Sequence, residues 1–540
     1  MKISIAQLNV HVGNFKKNSE KIIHEIEQAK KQGSELIVFP ELAICGYPPR
    51  DFLEYDHFVD ECVSAIANIA KHCISITAIV GSPSFNTTKV GKRLYNSAFV
   101  LSDGRIKEIV HKTLLPTYDI FDEYRYFEPN SVFKCVDVNG KKIALTICED
   151  LWNLDHQKLY KVSPMEELMA HQPTLMINIA ASPYDYEQAE ERLAVLKWNA
   201  KKYKLPLVYV NHVGAQTELI FDGGSLFLSA DAELVHLLPG FEEQSLQIAV
   251  DKPSAHINLN NTSKIASIHN ALVLGIRDYF RKSGFQKAVL GLSGGIDSAV
   301  VAALAAKALG PENVLAVLLP SQYSSDHSIK DAEDLVSNFG IQKQVIPIEQ
   351  IYTSFENGLS DFFHGMNPDL TEENMQARIR GVLLMAISNK FGHILLNTSN
   401  KSEVAVGYGT LYGDMCGGLS VIGDVYKTQV YELAKYINSD SELIPENTLV
   451  KAPSAELRPG QKDSDSLPEY DLLDQVLYHY IECSKGRTEL VEMGFEKSLV
   501  DRITGLVNRN EYKRYQTAPI LRISPKAFGM GRRMPIVAKY

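Results

Sequence analysis

Ala288-Val-Leu-Gly-Leu-Ser-Gly-Gly-Ile-Asp-Ser298 decides the architecture of the second half of the chain. An apolar run gives way to small residues and then to a helical pattern that starts at Ile296. Small residues let a backbone approach an anion, hydroxyl and N–H groups donate to it, and a helix N-terminus adds a favourable dipole. The stretch therefore reads as a strand, a phosphate-binding turn at Ser293–Ser298, and a helix. The spacing of a Walker loop is absent. The plainer alternative is a glycine-rich turn whose Ser and Asp cap the helix. Further runs at Val314–Leu319, Val345–Ile348 and Ile394–Asn397 alternate with helical patterns, and a helix is expected over 265–283. That alternation predicts a parallel, doubly wound sheet, with ligands beyond the strand C-termini.

Outward from this core, the first half shows the same short apolar runs: Leu36–Phe39, Ile76–Val80, Ile143–Ile147, Leu175–Ile179 and Leu207–Val210. Amphipathic stretches such as Lys17–Gln32 and Glu187–Lys202 separate them, and Tyr95–Leu101 with Ile106–His111 reads as a hairpin across Ser-Asp-Gly. Residues 1–250 thus form a layered α/β domain of mixed sheets. The apolar pattern lapses over 251–264, a linker, and 265–540 forms the second domain with its tail. The 540 residues are 45% hydrophobic and 22% charged, which excludes a disordered or coiled-coil chain. A net charge of −10 gives no reason to expect a nucleic-acid partner. Without an apolar run of ~18 residues or a signal-type start, a cytoplasmic protein off the membrane is expected. Seven cysteines, with no C-x-x-C pair, make neither a disulfide scaffold nor a zinc site, so most read as buried thiols.

Several polar segments follow the phosphate turn. Glu373-Asn-Met-Gln-Ala-Arg-Ile-Arg380 is placed ahead of a helix, and Asn397-Thr-Ser-Asn-Lys-Ser-Glu403 ends a strand. Gly413-Asp-Met-Cys-Gly-Gly418 and Gly423-Asp-Val-Tyr-Lys-Thr428 come next. Singly, each is a solvated loop with capping residues. In this order, with Pro453-Ser-Ala-Glu-Leu457 and Glu511-Tyr-Lys-Arg514, they resemble the NAD⁺ synthetases, and the Ser293–Ser298 turn resembles the pyrophosphate loop of enzymes that split ATP into AMP and pyrophosphate. The resemblance implies a Rossmann-like ATP pyrophosphatase domain. It implies ATP contacts from Gly291, Leu292, Ser293, Gly294, Gly295, Ile296, Asp297 and Ser298, and from Thr398, Lys427 and Ser454. Mg²⁺ would fall to Asp297 and Glu403, hard oxygen ligands suited to that ion. Nicotinic acid adenine dinucleotide (deamido-NAD⁺) would meet Asn374, Arg378, Glu403, Asp414 and Lys513, with Glu403 left undivided between metal and dinucleotide. Cys416 is read as structural.

In the first half, three residues follow separate strands: Glu41 in Phe-Pro-Glu-Leu, Lys112 in Lys-Thr-Leu-Leu-Pro, and Cys148 in Thr-Ile-Cys-Glu-Asp. Alone, Cys148 reads as one more buried thiol. The three together resemble the Glu–Lys–Cys arrangement of the nitrilase superfamily, which implies an α-β-β-α layered amidase. A thiol attacks as thiolate, a nearby carboxylate can supply that state, and a lysine can stabilise the oxyanion. Glu149, beside the nucleophile, is open to two readings: orienting Lys112, or a surface position. Fusion to an amidating synthetase is similar to the glutamine-dependent NAD⁺ synthetases, as are Gly46-Tyr-Pro-Pro49, Val210-Asn-His-Val-Gly214 and Phe221-Asp-Gly-Gly-Ser225. This implies L-glutamine as substrate, bound by Tyr118, by Ser182 in Asn178-Ile-Ala-Ala-Ser-Pro-Tyr184, and at position 188. There the family often carries Lys or Arg and this chain has Gln188, so either Arg192 supplies the charge or glutamine binding is weaker. The resemblance also implies a homo-oligomer. Two other readings are an amidotransferase acting on a nucleotide base or aspartate, and a non-catalytic nucleotide-binding scaffold.

Overall fold

A computed structural model of the chain describes residues 1–88, 90–251 and 263–539. It divides into two compact units, Met1–Asn261 and Thr262–Tyr540. Most of the expected linker, 251–264, lies outside the described residues.

The first unit holds two six-stranded sheets. One runs Gln244–Ala249, Lys2–Gln7, Leu36–Val38, Thr77–Phe85, Leu94–Ser102, Arg105–His111. The other runs Leu234–Leu237, Leu226–Leu228, Leu207–Asn211, Leu175–Ala180, Lys141–Ile147, Val136–Val138. In each, three central strands are parallel and the outer ones antiparallel. Alternate residues go to opposite faces of a strand, and in the central strands both faces are buried. Ile3, Ile5, Leu36 and Val38 join Leu145, Ile147, Ile177 and Val208 in one core. Ile37, Ala78 and Val80 join Ile22 and Ile26 of helix Phe15–Lys31 and Ile66 of helix Asp56–Ala70 in another. The layers are α-β-β-α. Each such fully buried aliphatic side chain contributes about 1.5–3 kcal/mol.

The second unit is built on one parallel sheet in the order Gln342–Val345, Val314–Leu318, Ala288–Gly291, Ile394–Asn397, Leu419–Ser420. Helix Ile296–Leu309 is buried on nearly every side, packed with Lys264–Ser283 and Lys427–Ile437. Helix Leu370–Phe391 places Met375, Ile379 and Leu384 against Val289, Val317 and Leu395 of the sheet. A further apolar cluster joins helices Lys401–Val406, Tyr470–Leu477 and Lys497–Arg509. Among the described residues no helix is long and apolar enough to cross a membrane.

Two local expectations are corrected. The strand expected at Val345–Ile348 is Gln342–Val345, an exposed edge strand paired with Leu315–Leu318. Its apolar successors serve the core instead, with Ile348 fully buried. Glu373–Arg380 does not precede a helix but lies inside Leu370–Phe391. Asp369 starts that helix earlier, accepting from the Thr371 N–H while Glu372 accepts from the Asp369 N–H.

Candidate functional site

In the first unit, the three strand-end residues converge on a buried charge cluster. Glu41 follows Leu36–Val38, Lys112 follows Arg105–His111, and Cys148 opens the turn Cys148–Leu151 after Lys141–Ile147. Lys112 Nζ lies 2.7 Å from Glu41 Oε1 and 2.8 Å from Glu123 Oε1. Both Lys112 and Glu41 are fully buried. Asn96 Nδ2 donates to Glu41 Oε1 at 2.7 Å and to Glu123 Oε2 at 3.3 Å. The Ala181 N–H donates to Glu41 Oε2 at 2.9 Å, and the Tyr47 hydroxyl to Glu123 Oε1 at 2.9 Å. Such partners fix the carboxylates in place.

Cys148 is itself strained. Its φ is 45°, a left-handed conformation that costs a non-glycine residue about 1–3 kcal/mol and marks functional turns. Asp150 holds that turn to the lysine loop. Its Oδ2 accepts from the Ile147 N–H at 3.0 Å, and its Oδ1 from the Thr113 and Leu114 N–H groups at 3.0 and 2.8 Å. One carboxylate thereby ties the residue before Cys148 to the two after Lys112.

The electrostatics set the resting state. Burial pushes the Cys148 thiol well above the usual range, Glu41 adds to the rise, and Lys112 opposes it. The thiol therefore rests neutral. Burial works against the Lys112 ammonium, yet Glu123 and Glu41 more than offset it and keep the group charged. Burial pushes Glu123 up to about 7 against the pull of Lys112.

The surface reading of Glu149 is overturned, since the residue is buried. Its carboxylate accepts from the Tyr118 hydroxyl (3.0 Å to each oxygen) and from Tyr160 at 2.9 Å. Ser182 is buried, and its N–H donates to Asn211 Oδ1 at 2.9 Å. Gln188 opens helix Gln188–Tyr203, its N–H held by Asp185. Arg192 makes a buried two-pronged pair with Asp222 at 3.0 and 2.6 Å, so its fork is already filled. Sequence reasoning missed Glu123, Asn96, Asp150 and Tyr160. Glu123 sits in Phe121-Asp-Glu-Tyr-Arg125, where adjacent charges look like a solvated turn.

In the second unit, the Ser293–Ser298 turn lies on a cavity of about 310 Å³. Gly291, Leu292, Ser293, Gly295, Ile296, Asp297 and Ser298 line it, together with Thr398, Glu403, Asp414, Lys427 and Ser454. Gly294 does not line the cavity. With φ of +78°, it would place a Cβ 2.2 Å from the Ser328 carbonyl oxygen, so only glycine fits. Lys427 Nζ lies 2.5 Å from Asp297 Oδ2 and 3.8 Å from Glu403 Oε1. Burial raises the Glu403 pKa well above the carboxylate range, and the nearby Asp297 charge raises it further. Two crowded carboxylates at a phosphate turn are a donor set that fits a hard divalent cation, although among the described residues no group of three or more such ligands is assembled.

Asn374, Arg378 and Lys513 do not line the cavity. All three hold the adjacent 407–414 loop. Lys513 Nζ donates to the Gly407 and Gly409 carbonyls at 2.8 Å, Arg378 Nε donates to the Leu411 carbonyl at 3.2 Å, and Asn374 Oδ1 accepts from the Thr410 hydroxyl at 2.7 Å. Asp414 ends that loop, accepting from the Thr410 N–H at 2.6 Å.

The fold and these two sites define an amidating enzyme of two parts, a nitrilase-like unit and a nucleotide-loop unit in one chain. The carbon-nitrogen hydrolase family matches residues 2–256, and the NAD synthase family matches 268–517. A glutamine-dependent NAD(+) synthetase from a Synechocystis strain is 46% identical over 100% of this chain and 99% of its own. The structure of a glutamine-dependent NAD⁺ synthetase from Acinetobacter baumannii in complex with ADP is similar at TM-score 0.79. It is 39% identical, with 99% of this chain and 98% of that one covered. A glutamine-dependent NAD(+) synthetase from Cytophaga hutchinsonii, 21% identical over 100% and 98%, shares the fold at TM-score 0.83. The chain belongs to the glutamine-dependent NAD⁺ synthetase family.

Proposed function

We propose that this chain converts deamido-NAD⁺, ATP and L-glutamine to NAD⁺, AMP, pyrophosphate and L-glutamate. The observation that carries the reading is the buried Lys112 between Glu41 and Glu123, beside a strained strand-end thiol.

Because Cys148 rests neutral, attack on the glutamine side-chain amide needs a proton acceptor, and Glu41 takes that proton. Carbon–sulfur bond formation puts negative charge on the amide oxygen, which the Lys112 ammonium stabilises. Glu41 returns the proton to the departing nitrogen, releasing ammonia and leaving a γ-glutamyl thioester. Water then attacks, with Glu41 as base, giving glutamate and the free thiol. Glu123 holds Lys112 in position. Tyr118, Ser182 and Gln188 bind glutamine, and since Arg192 is committed to Asp222, recognition at position 188 is by a neutral amide.

In the second unit, the Gly291–Ser298 segment with Thr398, Lys427 and Ser454 binds ATP. Asn374, Arg378, Glu403, Asp414 and Lys513 bind the dinucleotide, the residues off the cavity acting through the 407–414 loop. The nicotinate carboxylate attacks the α-phosphorus, pyrophosphate leaves, and ammonia displaces AMP from the acyl adenylate. Asp297 and Glu403 would hold Mg²⁺, which when bound neutralises phosphate charge. In its absence Lys427 is the counter-charge of Asp297. The enzyme works as a cytoplasmic homo-oligomer.

Incubation with deamido-NAD⁺, ATP, Mg²⁺ and glutamine tests the reading. NAD⁺ and AMP in equal amounts are expected. Glutamate release without NAD⁺ would leave only the amidase half standing.

A further inference from the structure

Arg380, half-buried, differs from the buried Arg192 and Arg514. Arg192 pairs with Asp222, and Arg514 with Glu511 and the Val404 and Ala405 carbonyls. Arg380, on the helix Leu370–Phe391, lines the nucleotide-loop cavity. Its Nε donates to the Leu319 carbonyl at 3.0 Å. Among the described residues, its two terminal amines carry no hydrogen bond or ion pair.

The nearby carboxylates do not complete it. Asp414 accepts from the Thr410 N–H, and Glu456 accepts from the Ser325 N–H and from the hydroxyls of Ser325 and Ser328. They act on Arg380 only at longer range. Burial lowers its pKa to about 10, and the Asp414 and Glu456 charges oppose the fall. Its open terminal amines face accessible space in a half-buried cavity wall, and a guanidinium is a flat fork that matches phosphate oxygens in pairs.

We propose that Arg380 receives a phosphoryl oxyanion of a nucleotide bound in this cavity. The proposal rests on the reading of the cavity as a nucleotide site. Both ATP and deamido-NAD⁺ carry that oxyanion, and the test separates them. The Ser293–Ser298 turn and Arg380 then grip the bound nucleotide from different elements.

The full-length protein and its Arg380→Met and Arg380→Lys variants are titrated separately with ATP–Mg²⁺ and with deamido-NAD⁺, neither of which turns over alone. Losing a charge-assisted pair of bonds should weaken one ligand about ten- to a hundredfold in Arg380→Met. The other ligand should stay within threefold, and Arg380→Lys should recover part of the loss. The ligand that weakens is the source of the oxyanion. Glutamine hydrolysis is the control, unchanged if the fold is intact. Both ligands binding Arg380→Met within threefold of wild type would overturn the proposal. So would equal losses of both accompanied by a fallen Tm, the mark of a structural role. Should Arg380→Met not fold, Arg380→Lys decides alone: a several-fold loss for one ligand supports the proposal, unchanged affinities overturn it. Wild-type protein binding neither ligand would overturn the nucleotide reading itself, a result distinct from intact wild-type binding with an unimpaired variant.

Discussion

Lys112 carries two carboxylates, and only one of them was visible in the sequence. Glu41 and Cys148 sit in strand-end motifs whose neighbours announce them. Glu123 reaches Lys112 from the Glu123–Arg125 turn, and nothing in its local pattern distinguishes a buried acid from a solvated one. Its titration gives a signed prediction. An unfolded glutamate titrates at about 4.3, whereas the folded residue holds its proton up to about 7. The folded state thus binds the proton more tightly. That contribution is complete below the unfolded value and is lost as pH rises toward 7. Tm of wild type minus Tm of Glu123→Gln should therefore decline between about pH 4.5 and 7 and level off above. A flat difference would show that Glu123 ionises as an ordinary carboxyl. Asp297 gives a second prediction at this scale. Removing it takes away the partner of Lys427 and one of the two carboxylates beside the phosphate turn, so Asp297→Ala should abolish NAD⁺ formation from either glutamine or ammonium. Glutamine hydrolysis should persist, and full synthesis by the variant would show that Asp297 is not part of the phosphate machinery.

Elements were legible wherever one apolar period ran uninterrupted. The buried strands Leu175–Ala180 and Ala288–Gly291, the hairpin Leu94–Ser102 with Arg105–His111, and the helix Phe15–Lys31 all fall within a residue or two of their patterns. The edge strand Gln342–Val345 did not, because its ladder is built from exposed residues while the neighbouring apolar ones turn inward. The helix Leu370–Phe391 hid its start because its first turn, Leu-Thr-Glu-Glu, buries no side chain. Contacts between elements left no pattern at all. Gly81, in strand Thr77–Phe85, lies directly behind the Glu41 backbone, where a Cβ would come within 2.4 Å of the Pro40 carbonyl oxygen and the Leu42 nitrogen. Backbone cannot yield as a side chain end does, so Gly81→Ala should push Glu41 off Lys112. Misplacement of a catalytic group by about 1 Å costs around a hundredfold. Glutaminase activity should fall by about that factor while ammonium-supported synthesis is retained, and an unchanged glutaminase rate would mean that the loop absorbs the intrusion.

At the scale of the whole molecule, the chain divides into two compact units, and the sequence carries a lapse of apolar pattern over 251–264 and two unrelated motif sets. Their joint purpose is a chemical matter. Free ammonia becomes ammonium in neutral water and loses its lone pair, so an amidase fused to a synthetase gains most when the nitrogen reaches the acyl adenylate unprotonated. The central claim is that one nitrogen atom passes from glutamine, through chemistry at Cys148, into NAD⁺. Its most direct measurement supplies amide-¹⁵N glutamine, deamido-NAD⁺, ATP and Mg²⁺ together with excess unlabelled ammonium, and reads the mass of the NAD⁺ formed by wild type and by Cys148→Ala. Wild-type NAD⁺ should carry more ¹⁵N than the bulk ammonia pool, while Cys148→Ala should make unlabelled NAD⁺ from the ammonium. Wild-type NAD⁺ no richer in ¹⁵N than the bulk pool would rule out sheltered transfer while leaving both sites standing. Equal labelling by the two proteins would contradict the account.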